Sequence, residues 1–288
     1  MAVEDTAVLL AGDGHGAIAV FQGLLKGGFR PTVCTLDPEL MQLADREGTG
    51  SISRLEEWEQ IASGIVIMAG YKPIVPAEII LGSRILNIHY SLLPAYRGVH
   101  STVWAMINGE PEVGFTLHEA DALVDNGPII WQEKVRVLDH TAWELMLQMD
   151  RLVENGIAEA LAEYLSGDRI PYEQDYGSAT FVGRRNKEDC RINWAWDAVY
   201  FSRVLKALVP PYPRPFFSYE GMDYDIVEAE VVHRYYTEIA GRIVYRDHES
   251  VWIKLADGLL RLRLVEAAGK SMRAVDVFTK VGYRLQRS

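Results

Sequence analysis

The sequence has few cysteines and no long apolar run, and acidic residues stand near its start. Its two cysteines, Cys34 and Cys190, lie far apart in 288 residues, which argues against a disulfide framework and predicts buried, unreactive thiols. No apolar run reaches the length of about 18 residues that a membrane-spanning helix requires. The first residues carry acids instead of the basic and apolar segments of a signal peptide. We therefore expect a cytoplasmic protein with no membrane partner.

Basic residues are outnumbered by acidic ones. The chain has 29 Lys and Arg against 40 Asp and Glu, a formal net charge of -11. Nucleic-acid affinity depends largely on cations that neutralise phosphates, and residues 184–191 form only a short basic cluster, which Glu188 and Asp189 interrupt. This composition predicts no nucleic-acid partner. The cluster is either a solvated linker or a contact for a small phosphorylated substrate.

Patterns typical of strands and helices alternate through the first part of the chain. Strands are predicted at 6–11, 30–36, 65–69, 84–89, 113–120 and 129–137. Helices are predicted at 17–26, 53–61, directly after Pro76, at 100–108 and at 141–165, where apolar residues recur at intervals of three and four. The alternation predicts an α/β domain with a doubly wound, mostly parallel, Rossmann-like sheet.

The pattern changes near residue 190. A helix at 194–209 precedes alternating segments typical of strands at 223–232, 240–246, 251–255 and 259–267, which predict a small β-barrel or open sheet. The length of 288 residues exceeds that of most single domains. We expect a catalytic domain over residues 1–190, followed by a C-terminal helix and a smaller β-barrel domain over 191–288.

Three side chains could serve one reaction: Asn87, His89 and Asp125. The period of two along a strand places Asn87 and His89 on the same face, and Asp125 must arrive from a separate loop. An amide can donate to an oxyanion, an imidazole can shuttle a proton near neutral pH, and a carboxylate can orient the imidazole or accept a proton. Together they suit acyl transfer to an amine without a covalent intermediate. A neighbouring Asp125 would favour the charged form of His89, and burial would oppose it.

The surrounding residues resemble the signature of the formyltransferases that use 10-formyltetrahydrofolate. The similarity is carried by Asn87-x-His89-x-Ser91-Leu92-Leu93-Pro94, Arg97-Gly98, Asp125-x-Gly127-x-Ile129 and the preceding Met68-Ala69-Gly70-Tyr71. It extends from residue 6 to about 185, and residues 184–194 and 210–213 continue it. That family includes glycinamide ribonucleotide formyltransferase, methionyl-tRNA formyltransferase and the sugar-nucleotide N-formyltransferases.

The resemblance implies a set of site residues. Asn87 and His89 would stabilise the tetrahedral oxyanion, and Asp125 would tune His89 and help remove the proton of the amine. The implied co-substrate is 10-formyltetrahydrofolate, with no metal, and its pocket would be formed by Met68, Tyr71, Ile74, Val75, Leu93 and Asp121. The candidate contacts to the acceptor substrate are His15, Arg97, His100 and Tyr212. We predict a surface or structural role for the other histidines, including His118.

A glycine-rich turn, Gly12-Asp13-Gly14-His15-Gly16, lies between the first predicted strand and helix. Backbone amides at such a position can face an anion. The third glycine follows the second after one residue instead of two, so a dinucleotide site is not predicted. In the glycinamide ribonucleotide branch the matching turn binds the substrate phosphate. Two interpretations therefore stay open: a phosphosugar or hexose contact that includes His15, or an ordinary turn.

Three acceptors compete. The tRNA enzymes carry a longer, usually basic insertion where residues 36–47 are compact and acidic here, and the ribonucleotide enzyme lacks the C-terminal domain. The resemblance therefore favours a sugar-nucleotide N-formyltransferase, expected to be a homodimer, that acts on a nucleotide-linked amino sugar. We expect a 4-amino-4,6-dideoxyhexose used for surface polysaccharides such as the O-antigen of lipopolysaccharide. The alternatives are methionyl-tRNA formyltransferase, a hydrolase of the formyl folate, or a non-enzymatic folate-binding module.

Overall fold

The computed structural model describes residues 6–285. They belong to two compact units. The first unit comprises the chain up to Thr102, Glu112–Val137 and Glu144–Gly183, and the second comprises Val103–Pro111, Leu138–Trp143 and the chain from Arg184 onwards. No helix among residues 6–285 is long and apolar enough to cross a bilayer.

The first unit contains a seven-stranded sheet. The strands of this sheet are β1 (Val8–Gly12), β2 (Thr32–Cys34), β3 (Ser51–Ile52), β4 (Ile65–Ala69), β5 (Arg84–His89), β7 (Glu112–Glu119) and β8 (Ile129–Arg136). Two short strands, β6 (Arg97–Gly98) and β9 (Phe181–Val182), pair with each other outside it. The spatial order is β3-β2-β1-β4-β5-β7-β8. Strands β1 to β5 are parallel, whereas β7 runs antiparallel to β5 and β8 antiparallel to β7.

Five helices accompany this part of the chain: α1 (Gly14–Lys26), α2 (Pro38–Glu47), α3 (Ala77–Gly82), α4 (Ser101–Asn108) and α5 (Ala142–Ser166). The longest, α5, has the bounds that its apolar spacing predicts, because Leu145, Met149, Val153 and Ile157 are fully buried on one face. The predicted α/β class with a mostly parallel sheet is confirmed.

Two helical assignments differ from the sequence prediction. The predicted helix at 53–61 is wrong: only Leu55–Glu57 forms a 3-10 turn, and the amide of Ile61 bonds the carbonyl of Trp58 three residues back. Helix α2 was not predicted. It begins where the Asp37 carboxylate accepts the backbone N–H of Glu39 at 2.8 Å, a typical N-cap.

The second unit is built around an antiparallel sheet. Its elements are α6 (Ala198–Ala207), β10 (Phe216–Tyr219), β11 (Met222–Val232), β12 (Ile243–Arg246), β13 (Val251–Lys254), β14 (Leu259–Ala267), β15 (Lys270–Arg273) and α7 (Ala274–Val277). The strand order is β10-β11-β14-β13-β12, with β15 also paired to β14. The sheet curls into a half-barrel over an aromatic core that includes Trp194, Phe201, Phe217 and Phe278. The predicted smaller C-terminal β domain is confirmed, whereas β10 and β15 were not predicted.

The topology places two loops of the first unit at the carboxyl edge of the parallel strands. The chain order of the sheet reverses at β1, whose neighbours are β2 and β4, and ligands of open α/β sheets usually bind at such a switch point. The glycine-rich turn follows β1, and β5 ends at His89. Both sequence-predicted sites therefore lie at the edge where this fold usually carries function.

Candidate functional site

Asn87, His89 and Asp125 come together in the first unit. Asn87 and His89 lie on β5, and Asp125 lies in the loop between β7 and β8. The Asn87 amide donates to Asp125 Oδ1 at 3.2 Å, and His89 Nδ1 lies 3.5 Å from Asp125 Oδ2. Asn87 and His89 therefore both contact the Asp125 carboxylate, and the strand period places them on the same face as expected.

The imidazole of His89 has a defined tautomer. Its Nε2 lies 2.8 Å from the backbone carbonyl of Tyr96, and because a carbonyl can only accept, Nε2 carries the hydrogen. Nδ1 is then the basic nitrogen, and it faces Asp125. Burial lowers the pKa of His89, and this effect exceeds the opposing influence of the Asp125 charge and of the Tyr96 carbonyl. At neutral pH His89 is thus a neutral base with its lone pair beside a carboxylate.

Asp125 is held as a carboxylate. Burial would raise its pKa, but interactions with the protonated forms of His118 and His89, together with the N–H of Gly98, lower the pKa below the usual value. The Gly98 amide donates to Asp125 Oδ2 at 2.8 Å. The Asp125 backbone adopts a left-handed conformation with φ of 50°, which Asp tolerates better than most residues. A charged acceptor and a neutral base therefore lie side by side in a largely buried place.

His118 is a member of this cluster that the sequence did not reveal. It is 2% exposed and lies directly opposite Asn87 in the antiparallel register of β5 and β7. Its Nδ1 bonds the carbonyl of Glu119 at 2.7 Å, so Nε2 is free of hydrogen in the neutral ring and accepts from the Asn87 amide at 3.1 Å. Of the surface or structural role predicted for His118, burial excludes the surface alternative and leaves the structural one.

The partners of Asn87 bear on its predicted role. Its amide nitrogen has two hydrogens, one directed to His118 and the other to Asp125. Both donors are therefore committed in this structure. To donate to an oxyanion, as the sequence predicts, Asn87 must exchange one of these two bonds for the substrate.

The predicted folate-pocket residues occupy different environments. Met68 on β4 lies beside Asn87 in the parallel register, and Tyr71 and Val75 pack against the same apolar cluster as Met68. Ile74 is 95% exposed and Leu93 is 3% exposed. Asp121 accepts the amide of Leu123 and the side chain of Asn126. Met68 is thus adjacent to the catalytic candidates, and exposed Ile74 leaves apolar area for a ligand. The pocket stays a prediction.

The glycine-rich turn is filled by carboxylates of the protein itself. The amide of Gly14 donates to Asp37 Oδ2 at 2.8 Å, and Asp13 Oδ1 accepts the hydroxyl of Thr35 at 2.9 Å. Helix α1 begins at Gly14, inside the turn. Two carboxylates at this helix N-terminus repel a phosphate, so the structure gives no support to the anion interpretation and favours ordinary turn chemistry.

His15 has an internal partner. Its Nδ1 lies 2.5 Å from Asp150 Oδ2 on α5, and Tyr90 donates to the other oxygen of Asp150 at 2.5 Å. The His15 side chain is 35% exposed, so one side of the ring reaches solvent. A contact between His15 and the acceptor stays a prediction.

The other predicted contacts to the acceptor substrate, Arg97, His100 and Tyr212, occupy different environments. Arg97 is 1% exposed, and its guanidinium donates to Asn126 and Gln174. Two of its nitrogens are therefore bonded inside the first unit, and its contact with the acceptor stays a prediction. His100 is half-buried with φ of 63°. Tyr212 belongs to the second unit and is half-buried beside the cis bond between Pro210 and Pro211. The roles of His100 and Tyr212 stay predictions.

Within residues 6–285 no group of three or more His, Cys, Asp or Glu side chains is arranged to hold a metal ion. The second unit has a cavity of about 340 Å³, lined in part by Arg191, Trp194, Phe217 and Arg284. None of the predicted site residues lines it.

Comparison with known families gives two matches. The family model described as Formyl transferase matches residues 42–161, and the model described as Formyl transferase, C-terminal domain, matches residues 184–282. A methionyl-tRNA formyltransferase of Caldanaerobacter subterraneus subsp. tengcongensis is 29% identical over 218 residues, which are 75% of this chain and 70% of the relative.

Two solved structures share the fold. An N-formyltransferase from Helicobacter canadensis, in complex with folinic acid and dTDP-3-aminofucose, has a TM-score of 0.72 at 20% identity, over 90% of this chain and 99% of that chain. A variant of HypX from Aquifex aeolicus has a TM-score of 0.67 at 18% identity, over 98% of this chain. This chain spans about half the length of HypX, 51%.

Proposed function

Because this chain belongs to the formyltransferase family, we propose that it transfers the formyl group of 10-formyltetrahydrofolate to the amine of a nucleotide-linked amino sugar. The observation that carries the proposal is the buried cluster in which a neutral His89 and a charged Asp125 lie 3.5 Å apart, with Asn87 bonded to Asp125. Such a pair can accept a proton from an amine at neutral pH.

The proposed reaction is a direct acyl transfer. The lone pair of the acceptor amine attacks the formyl carbon, and the carbonyl electrons move to oxygen to give a tetrahedral oxyanion. The attacking nitrogen then loses a proton to His89 Nδ1, and Asp125 stabilises the imidazolium. When the carbon–nitrogen bond to N10 of the folate breaks, that proton passes to N10. The products are the formamide of the sugar and tetrahydrofolate, and atoms and charge balance.

The folate would lie beside β4 and β5. Met68 adjoins Asn87, and the side chains of Tyr71 and Val75 continue the same apolar surface, which suits a pterin ring. Support comes from the Helicobacter canadensis relative in fold, which binds folinic acid and dTDP-3-aminofucose, and from a sugar 3N-formyltransferase solved with dTDP and 5-N-formyl-THF. We propose a 4-amino-4,6-dideoxyhexose as the acceptor sugar, for surface polysaccharide synthesis in the cytoplasm by a homodimer.

A second candidate, methionyl-tRNA formyltransferase, is favoured by one observation: two proteins of that name, from Caldanaerobacter subterraneus and Streptococcus equi, are 29% and 32% identical to this chain. The distribution of charge argues against it. Residues 1–183 carry 11 Lys and Arg against 26 Asp and Glu, and residues 184–288 carry 18 against 14. Only the second part could attract a polyanion.

Seven of the 18 Lys and Arg residues in the second part form ion pairs among the described residues. Arg261 lies within 4 Å of Glu230 and Glu249, and Arg263 lies within 4 Å of Glu228 and Glu230. Other ion pairs in this unit join Lys187 to Asp225, Arg191 to Glu188, Lys206 to Asp139, Arg242 to Glu238 and Arg273 to Asp276. A cation that is already paired gains little free energy by binding a phosphate, because it must first leave its carboxylate.

We therefore predict negligible affinity for tRNA at physiological salt. The measurement is filter binding of initiator tRNA across a range of salt concentrations. Submicromolar binding with a steep decrease as salt rises would contradict the prediction and support the tRNA enzyme.

The function itself is tested with a panel of acceptors. The purified protein is incubated with 10-formyltetrahydrofolate and, separately, with dTDP-linked, GDP-linked and UDP-linked 3-amino and 4-amino deoxyhexoses and methionyl-tRNA. Mass spectrometry then measures formylation. We expect formylation of one class of sugar nucleotide, and a rise in melting temperature with its nucleotide alone. Formylation of methionyl-tRNA and of no sugar would overturn the proposal.

A further inference from the structure

The most unusual charge in the first unit is the buried guanidinium of Arg97. It is 1% exposed, and among residues 6–285 no carboxylate oxygen lies within 4.0 Å of it. Its Nε is buried without a hydrogen-bond partner in the described part of the chain. A buried charge without a counter-ion is costly. The two hydrogen-bond acceptors of Arg97 therefore show which groups stabilise its guanidinium.

Both acceptors are side-chain amides: Asn126 follows Asp125 in the same loop, and Gln174 contacts that loop from the connector after α5. Arg97 Nη1 donates to Asn126 Oδ1 at 2.8 Å, and Nη2 donates to Gln174 Oε1 at 2.7 Å. The rings of Tyr176 and Phe181 lie 5.5 and 5.8 Å from the guanidinium carbon, which offsets part of the cost of burial. The arginine therefore joins the loop that carries Asp125 to the connector that carries Gln174.

A guanidinium has only donors, and this decides how Gln174 is oriented. Because Oε1 must face Arg97, Nε2 must face the other way, where it donates to the backbone carbonyl of Asp125 at 3.0 Å and to that of Gly127 at 2.8 Å. The two residues that flank Asn126 are thus fixed by one amide, whose orientation is required both by Arg97 on one side and by the two backbone carbonyls on the other.

The residues on either side of Arg97 contact the catalytic candidates themselves. The Tyr96 carbonyl accepts from His89 Nε2, and the Gly98 amide donates to Asp125 Oδ2. Tyr96 and Gly98 both have left-handed backbones, with φ of 59° and 105°. A non-glycine residue such as Tyr96 keeps this conformation only where its surroundings hold it, and the buried Arg97 side chain is such an anchor.

We propose that Arg97 and Gln174 are positioning residues that fix Asp125 relative to His89. They reach the reaction only through the backbone of residues 96–98 and 125–127. Because this role rests on the proposed function, its test needs one readout that is independent of formyl transfer.

The deciding variant is Gln174→Glu. It keeps an acceptor for Arg97 but removes both N–H donors to the loop. The charge-matched control is Gln42→Glu on an exposed position of α2. We measure kcat and KM for the acceptor, the melting temperature, and hydrogen exchange of the backbone amides in 121–127.

For Gln174→Glu we expect a decrease of at least about tenfold in kcat, a KM for the acceptor close to that of the wild type, an unchanged or higher melting temperature and faster exchange in 121–127. Arg97→Lys should give the same pattern, with a lower melting temperature. The control should resemble the wild type in every measurement. Wild-type kcat despite faster exchange, or unchanged exchange, would overturn the positioning role. A wild-type protein that formylates no acceptor would instead overturn the proposed function, and the exchange data would still decide whether Gln174 holds the loop.

Discussion

Two loops of the first unit carry sequence motifs typical of sites, yet they differ in how their polar groups are used. In the loop that contains Asp125, the carboxylate faces a neutral imidazole at 3.5 Å, and His89 Nδ1 keeps a lone pair. In the turn Gly12–Gly16, the amide of Gly14 is already bonded to Asp37. The Asp125 cluster thus keeps a basic lone pair for a ligand, whereas the turn has already used the Gly14 amide within the protein.

The largest effect should come from the Asp125 cluster. We expect Asn87→Ala, His89→Asn and Asp125→Asn each to lower kcat by at least about a hundredfold, because each removes an oxyanion donor, a base or the carboxylate that stabilises its charge. Steady-state formylation of the preferred acceptor is the measurement. Near-normal kcat in two of the three variants would show that the reaction takes place elsewhere.

A smaller effect is expected at His118. In His118→Leu the Asn87 amide loses its acceptor on β7, and an unpaired buried donor costs about 1–3 kcal/mol. We expect kcat to decrease by about tenfold, since Asn87 would be held less firmly. The control is His233→Leu, the same change at an exposed position of the second unit. Equal kcat in the two variants would exclude His118 from the site.

The smallest effect on activity is expected at the glycine-rich turn. Asp37→Ala removes the N-cap of α2 and should lower the free energy of unfolding by about 1 kcal/mol, with kcat/KM close to the wild-type value. Burial would raise the pKa of Asp37, but the amides of Gly14, Glu39 and Leu40 lower it below 3.8. The extra free energy of unfolding that Asp37 gives the wild type should therefore be complete at neutral pH. It should vanish as the pH falls through the pKa of Asp37 in the folded protein.

Denaturant unfolding at neutral and acid pH checks this prediction, with Asp45→Ala on the exposed face of α2 as the control. A loss of kcat/KM in Asp37→Ala comparable to that in Asp125→Asn would mean that the turn is part of the acceptor site, and the contrast between the two loops would fail.

Local patterns predicted part of this site. The period of two along β5 was enough to place Asn87 and His89 on one face, and the resemblance to a family was needed to bring in Asp125 from a loop. His118 was missed because the register that pairs it with Asn87 joins strands 31 residues apart, and nothing in the local pattern encodes it. The burial of Arg97 was not predicted, because a charged residue is usually exposed.

The two errors in helix assignment have a common cause. Apolar Leu55, Trp58 and Ile61 recur every three residues, which resembles a helical face, but no side chain caps the start at Arg54 and the bonds that form are of the 3-10 type. Helix α2 has the opposite character. Only Leu40 and Ala44 are buried, so its apolar pattern is weak, while Asp37 and Gly48 mark its two ends clearly. End signals would have identified α2 better than apolar spacing.

The most direct test of the account is the pH dependence of kcat/KM for the wild type and Asp125→Asn with the same acceptor. The ionisation of the amine is common to both proteins, so a difference between the two profiles reports the ionisation of groups on the enzyme. Since the charge of Asp125 raises the pKa of His89 against the larger effect of burial, its removal should shift the acid limb that His89 contributes to lower pH, at a reduced maximum. An acid limb at the same pH in both proteins would contradict the pairing of His89 with Asp125 on which the proposed mechanism depends.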